Sequence, residues 1–312
     1  MTAFFPDETR THIELTGTDR AKFLHNFCTN DILKLSPGQG CEAFICNVKG
    51  RVIGHVTVFV GETSLWLESV PGAAAALTAH LDRYLIREDV TINDRSADVA
   101  EILLLGEGSS VLLSAVFGAA PFTELALHQS QLRTMDGNNV RVARIDRLGD
   151  PTWLLIVPKS EAAALVQQIE TAGAVRLNEA QVESLRIAAG FPHYGRDLTD
   201  EHLAQEVGRT AQCISFTKGC YLGQEPIARL DALGHTNREL RRLATTAIAP
   251  LIAGMTLRDE ANTQDIGVIT SAASSPDGHG SVALGYLKSR WLTAGTKVSV
   301  MTASGPVAAV VH

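Results

Sequence analysis

The chain has 312 residues, 45% of them hydrophobic, and its 27 Lys and Arg against 34 Asp and Glu leave a net charge of −7. That length exceeds what one core usually organises, so two or three domains are expected. The acidic balance disfavours direct binding to the phosphate backbone of nucleic acid. The most basic cluster, Arg238-Glu239-Leu240-Arg241-Arg242, contains an acid and reads as a solvated face at the start of a strand. No apolar stretch approaches the roughly 20 residues of a membrane span, and residues 1–10 do not read as a signal peptide. A soluble, cytoplasmic protein with no membrane partner is expected. The five cysteines, Cys28, Cys41, Cys46, Cys213 and Cys220, are an odd number and argue for reduced thiols.

In chain order, residues 13–15 form a short strand, and Thr16-Gly17-Thr18-Asp19 turns into a helix whose apolar face is Ala21, Leu24, Phe27 and Cys28, which puts Cys28 in the core. Residues 43–45, 52–60 and 64–70 read as strands of a meander broken at Lys49-Gly50 and Gly61. A helix over about 72–86, strands 90–93 and 100–105, a helix over 109–117 and a polar loop around Asp136-Gly137-Asn138-Asn139 follow. Residues 140–145 and 153–157 are strands, and Ser160 caps a helix that Gly173 ends. The next helix spans 179–189, with Val182, Leu185 and Ala189 on its buried face, Glu183 and Arg186 paired on the other, and Gly190 as its stop. Beyond a boundary near Gly234, strands at 243–248, 267–271, 282–287, 297–301 and 307–311 have the Gly- and Pro-punctuated texture of an antiparallel barrel or sandwich. The fold class is antiparallel α+β. No repeat, Walker loop or dinucleotide fingerprint is present.

Residues 213–216 alternate like a strand end, Lys218-Gly219-Cys220 makes a tight turn, and Pro226 and Gly234 bracket a helix. Cys220 then lies just before a helix N-terminus, where unpaired N–H groups and the charge of Lys218 favour thiolate. Such a group is a nucleophile or a soft-metal ligand; the alternative is a small buried hydrophobe.

The run Lys218-Gly219-Cys220-Tyr221-Leu222-Gly223-Gln224-Glu225 resembles the K-G-C-Y-x-G-Q-E motif of the YgfZ proteins, a family related to the T-protein (aminomethyltransferase) of glycine cleavage. Phe23-Leu24 with Thr29-Asn30-Asp31, Asn47-Val48-Lys49-Gly50-Arg51, His80 to Tyr84, and Arg186 to Pro192 followed by Gly195 fall in the family's order. The resemblance implies a three-domain T-protein-like architecture around a central folate cavity. The first domain would be discontinuous, 1–46 and 141–234, the second 47–140, and a C-terminal antiparallel β-barrel 235–312. It further implies a bound tetrahydrofolate or derivative and a role in iron–sulfur cluster assembly or repair, with iron–sulfur enzymes or cluster-assembly proteins as partners. An effect on tRNA modification would be indirect. Cys220 with Lys218 would be the working pair, and Gly219, Tyr221, Gly223, Gln224 and Glu225 would shape the turn. Arg186, Asn47 and Trp153 would line the folate site. The planar fork of Arg186 suits the glutamyl carboxylate; buttressing the pocket, or an ion pair with Glu183, is the alternative.

Two departures separate the chain from the transferases. Alignment on Asn47 and Gly50 puts Gly54-His55 where the T-protein has an Asp-Asp pair, and the segment Gly149-Asp150-Pro151-Thr152-Trp153 lacks that family's pterin-binding Glu. An accessory role is therefore expected, with a folate-dependent one-carbon transferase as the alternative. His55 is either a substitute base or an ordinary strand histidine. No metal site belonging wholly to this chain is expected. Cys213 and Cys220 lack C-x-x-C spacing, Cys41 and Cys46 face opposite sides of a strand, and no histidines pair at i, i+4. Cys220 could supply one thiolate of a shared cluster.

Overall fold

A computed structural model describes residues 2–118, 122, 125–135, 137–149, 152–247 and 250–312. Its first layer is a five-stranded antiparallel sheet in the order Gly40–Cys46, Val52–Val60, Leu65–Ser69, Thr11–Thr16, Thr91–Asp94. Side chains alternate between faces along each strand. Ile13, Leu15, Ala43, Ile45, Val56, Val58, Leu65 and Leu67 therefore share one face and pack with Leu24 of helix α1 (Arg20–Phe27) and Leu77 and Leu81 of helix α2 (Ala74–Asp82). The opposite face carries His12, Glu42, His55, Thr57 and Glu68, all buried.

The second layer repeats the plan. Its six strands run in the order Val175–Arg176, Ala3–Asp7, Val99–Leu105, Thr152–Pro158, Asn138–Ile145, Ser130–Met135. Ile102, Leu104, Val142, Trp153 and Leu155 pack with Leu113 of helix α3 (Ser109–Phe117) and Leu165 of helix α4 (Ala162–Thr171). Leu103, Ala143, Ile145, Leu154 and Ile156 form a separate cluster on the other face, and Phe59 of the first sheet joins it. The two sheets thus meet across their non-helical faces, and the buried charges lie at that junction.

The boundaries expected at 46/47 and 140/141 fall inside hydrogen-bonded hairpins: Gly40–Cys46 pairs with Val52–Val60, and Asn138–Ile145 pairs with Ser130–Met135. The strands group instead as 11–94 in one sheet, and as 3–7 with 99–176 in the other. Helix α5 (Glu179–Ala189) has the expected span and a capping box at Asn178, with Gly190 left-handed at its end. Val182 and Leu185 pack against the cluster between the sheets, as expected, but the other face is covered too. Arg186 is buried and Ile187 packs with Leu240, Leu284 and Tyr286, because the helix is covered on a second side by the third domain.

That domain is a closed antiparallel barrel of six strands, Arg238–Thr245, Ser281–Lys288, Asp265–Ser274, Thr256–Asp259, Lys297–Thr302 and Gly305–Val311. Thr256–Asp259 and, in the second sheet, Ser130–Met135 were not expected. Both are short and polar, with no clear alternation of apolar residues. Position 248 of the expected first barrel strand, Asp136 of the expected loop, and Asp150-Pro151 lie outside the described residues. Among the described residues no helix is long and apolar enough to cross a membrane.

Candidate functional site

Residues 213–216 are not a strand end: a single helical turn, α6 (Thr210–Cys213), leads into the motif, and helix α7 (Gln224–Leu233) follows it. Between them residues 218–223 lie against the C-terminal end of α1. The Lys218 ammonium is buried and donates to the carbonyl oxygens of His25, Cys28 (2.7 Å) and Asn30 (2.9 Å). The first two are carbonyls at the end of α1 and the third lies just beyond it; a lysine has three donors, so all three are spent. Lys218 also lies 4.7 Å from the Tyr221 ring centre. Leu222 N–H donates to Asn26 O at 2.9 Å.

Tyr221 is buried with Phe44, Cys46 and Ile227 and anchors the turn from below. Gly223 is left-handed (φ +81°) and caps α7, and Glu225 lies in the first turn of that helix, where an acid is favoured. Cys220, between the Lys218 and Leu222 anchors, is exposed. Gly219 and Cys220 are held over α1, four residues short of the first turn of α7, so the turn separates the thiol from that helix end.

The other four cysteines are buried. Burial pushes the Cys28 thiol up to about 11, and it raises Cys41, Cys46 and Cys213 as well. Cys41 packs in the helix-covered core and Cys46 in the cluster on the opposite face, as alternation requires.

The second candidate region is the charged junction between the sheets. Glu68 pairs with Arg10 and with Arg147 (2.6 Å), and Glu101 pairs with Arg147 (2.9 Å) and His12 (3.2 Å). Burial works against the Glu68 carboxylate, but Arg10 and Arg147 hold it down at about 2. Glu42 accepts from Arg209 Nε at 2.7 Å and lies 2.9 Å from His55 Nε2, with the Cys213 thiol at 3.4 Å and His128 at 3.5 Å. The net pull of His55 and Arg209 keeps Glu42 ionised despite its burial. Phe191 stacks on His55 (5.1 Å, 25°) and lies under Arg209. A cavity opens here, walled by Arg10, His55, Glu68, Arg147, Arg186, Phe191 and His193. It has room for about one water molecule.

Of the three residues expected to line a folate pocket, Arg186 borders this cavity, whereas Asn47 and Trp153 lie elsewhere. Arg186 spends all its donors within the protein, on Glu183, Asp197 (2.8 Å), the Phe191 carbonyl and Ser271 (3.1 Å) of the barrel. It is a buttress that ties α5 to the third domain, with no donor left for a ligand carboxylate. Asn47 Oδ1 accepts from Lys49 N (2.9 Å) and Arg51 N (3.2 Å) and closes the hairpin turn between the first two strands of its sheet. Trp153 packs edge-on to Phe122 under α3 and α4, on the sheet face turned away from the cavity.

His55 is more than an ordinary strand histidine, because an acid does accompany it. Glu42, Glu68, Glu101, Arg147 and Arg209 were not recognisable as partners in the sequence, since they come together from segments far apart in the chain. A usable signal exists: a lone acid within an apolar strand, as in Cys41-Glu42-Ala43-Phe44 and Ala100-Glu101-Ile102-Leu103, marks a buried charge that needs a partner. Glu42, His55 and Cys213, and likewise Glu42, His128 and Asp146, each present ligand atoms within 4.8 Å of one another. Arg209 already neutralises Glu42 and also reaches Asp146 at 2.9 Å, so a cation would have to displace its guanidinium.

The comparisons with known proteins agree with this architecture. Residues 4–217 match the GCVT N-terminal domain, and residues 238–312 match the glycine cleavage T-protein C-terminal barrel domain. The chain is 30% identical over 271 residues to a tRNA-modifying protein YgfZ of Yersinia pseudotuberculosis, covering 85% of this chain and 78% of that one. It is 28% identical over 290 residues to a putative chloroplastic transferase of Arabidopsis thaliana, covering 92% of this chain but only 66% of that one. A crystal structure of aminomethyltransferase T from Bartonella henselae superposes with a TM-score of 0.88 at 21% identity, over all of this chain and 85% of that one, and shares the fold. The chain belongs to the glycine cleavage T-protein family, among relatives of the YgfZ type.

Proposed function

We propose that this T-protein family member is a folate-binding accessory protein for iron–sulfur cluster assembly or repair, with Cys220 as its working thiol and iron–sulfur proteins as its partners. One observation carries the reading: of five cysteines, four are buried with suppressed ionisation, while Cys220 is exposed on a turn pinned from both sides. That arrangement presents a thiol to another molecule without giving it freedom to wander. The YgfZ name of a relative as a tRNA-modifying protein accords with a role upstream of a modifying enzyme.

Tetrahydrofolate suits the junction between the sheets chemically. The wall has guanidinium and carboxylate groups, and His193 Nδ1 is buried without a hydrogen-bond partner, as is His12 Nδ1 beside Glu101. Such groups match the amide edge and the carboxylates of a folate. The cavity as packed, with room for about one water molecule, does not admit a folate. Bound folate would supply a one-carbon carrier or a redox-active ring.

A folate-dependent one-carbon transferase is the second reading, favoured by His55 on the cavity wall and its 2.9 Å contact with Glu42. The discriminating experiment is complementation of cells lacking this protein, scored on an iron–sulfur enzyme, with Cys220→Ala and His55→Ala compared at equal protein levels. Loss only in Cys220→Ala supports the accessory reading. Full activity of Cys220→Ala sinks it, and loss only in His55→Ala, with formaldehyde released in the presence of tetrahydrofolate, moves the function to the transferase.

A further inference from the structure

One oxygen of the buried Glu42 carboxylate is crowded. Three groups converge on Oε2, which has two lone pairs: Arg209 Nε at 2.7 Å, His55 Nε2 at 2.9 Å and Cys213 Sγ at 3.4 Å. Cys213 Sγ also lies 3.8 Å from His55 Nε2. Glu42 and His55 sit on the paired strands Gly40–Cys46 and Val52–Val60, Cys213 ends α6, and all three are buried. Phe191 stacks on the His55 ring and holds its plane.

A carboxylate, an imidazole and a thiol are all zinc donors, and bond lengths of about 2.0–2.3 Å put the ligand atoms of a tetrahedral site roughly 3.3–3.8 Å apart. The Cys213–Glu42 and Cys213–His55 distances fall in that range, and the His55–Glu42 distance is a few tenths of an ångström short of it.

The obstacle is Arg209, and a second carboxylate stands ready to take it. Arg209 Nη2 already donates to Asp146 Oδ2 at 2.9 Å. The other oxygen, Asp146 Oδ1, is buried and has no hydrogen-bond partner. A carboxylate with one oxygen engaged and one unused can receive the whole guanidinium fork as a bidentate pair.

We propose that Glu42, His55 and Cys213 form a zinc-binding site, with Arg209 turned from Glu42 onto Asp146 when the metal is held. The charges then close. The Glu42 carboxylate and the Cys213 thiolate neutralise the divalent cation, Arg209 and Asp146 neutralise each other, and His55 ligates as a neutral ring. The thiol proton leaves to solvent as the Zn–S bond forms, and nothing is oxidised or reduced. His128, 3.5 Å from Glu42 Oε1, stays on the far oxygen. Three protein ligands leave the fourth position of a tetrahedral site to an exogenous ligand. The site goes beyond the accessory function proposed above and does not depend on Cys220.

The test is metal binding by the full-length protein, with cobalt(II) as the spectroscopic stand-in for zinc and zinc affinity read by competition with a chelator. Wild type and Cys220→Ser are expected to bind a single cobalt per chain with a strong thiolate-to-cobalt absorption that zinc abolishes. Cys213→Ser should lose that absorption, and His55→Gln tests the same site if Cys213→Ser does not fold. Asp146→Asn, which weakens the seat that receives Arg209, should bind zinc about tenfold less tightly. Arg209→Gln removes the competing cation, so zinc should bind it more tightly and raise its melting temperature by more than that of wild type. Wild-type protein that holds no cobalt overturns the site. An absorption that survives in Cys213→Ser, or that disappears in Cys220→Ser, places the metal elsewhere and overturns it equally. Zinc affinity unchanged in both Asp146→Asn and Arg209→Gln refutes the movement of Arg209.

Discussion

The carbonyl oxygen of Asn47 fills the space beside Gly223: a Cβ on Gly223 would lie 2.4 Å from it. Gly50, in the same hairpin turn, meets Pro226 of α7 in the same way, at 2.9 Å from its Cγ. The hairpin turn and the start of α7 therefore interlock, and both glycines have positive φ. Gly223→Ala is expected to destabilise the protein by roughly 2–4 kcal/mol, from the left-handed conformation and the backbone clash together. Gly219→Ala, with nothing nearer than 3.8 Å, is the control and should melt within about 0.5 kcal/mol of wild type. Equal melting of the two variants would refute the interlock.

Arg186 shares its guanidinium among a helix, a loop and the barrel, and Asp197 beside it is fully buried. Arg186→Ala would strand that carboxylate without its cation, a loss of roughly 3–5 kcal/mol. The expected result is a large fall in the urea midpoint. A variant that unfolds like wild type but binds tetrahydrofolate more weakly would return Arg186 to the ligand.

The difference between these two sites shows what the sequence could convey. The turn at Lys218 to Glu225 is local, so its residues, its glycines and the following helix were readable from eight adjacent letters. Helix α5 was equally readable in extent. The burial of Arg186 was not, because it depends on the barrel packing against a face of α5 that the i, i+3 pairing with Glu183 marked as outward. The charged junction was hidden for the same reason. Alternation identifies two faces of a strand but does not say that the polar one will be covered by a second sheet.

Acid should destabilise the protein in two stages. His193 is held down at about 4 by burial and by Arg196, Arg10 and Arg186, against an unfolded value of 6.5. The folded state then resists a proton that the unfolded chain accepts, so stability present above 6.5 is lost as pH falls through 4. Glu68, at about 2 against 4.5, contributes stability present above 4.5 and lost as pH falls toward 2. Melting temperature should therefore be level above neutrality, decline from pH 6.5 and fall more steeply below 4.5. Glu68→Gln should lower the melting temperature at pH 7 yet flatten the steep part. A melting temperature that rises between pH 7 and 4 would contradict the sign of both contributions.

Lys218 was expected to act on the thiol through its charge, and its geometry assigns it a different task. Its ammonium is enclosed by the carbonyls of His25, Cys28 and Asn30 at the end of α1, with the Tyr221 ring on another side. Lys218→Ala removes charged hydrogen bonds worth about 1.5–3 kcal/mol each at most and leaves buried carbonyls unpaired. It should also detach the turn. The expected outcome is a lower melting temperature together with faster proteolytic cleavage within 218–223, while residues 238–311 of the closed barrel stay protected. Lys218→Arg should not restore the wild-type behaviour, because a planar fork cannot direct its donors to three carbonyls around one point as an ammonium does. If Lys218→Ala melts normally, resists cleavage and only slows the labelling of Cys220, the lysine acts through its charge after all, and the anchoring role is wrong.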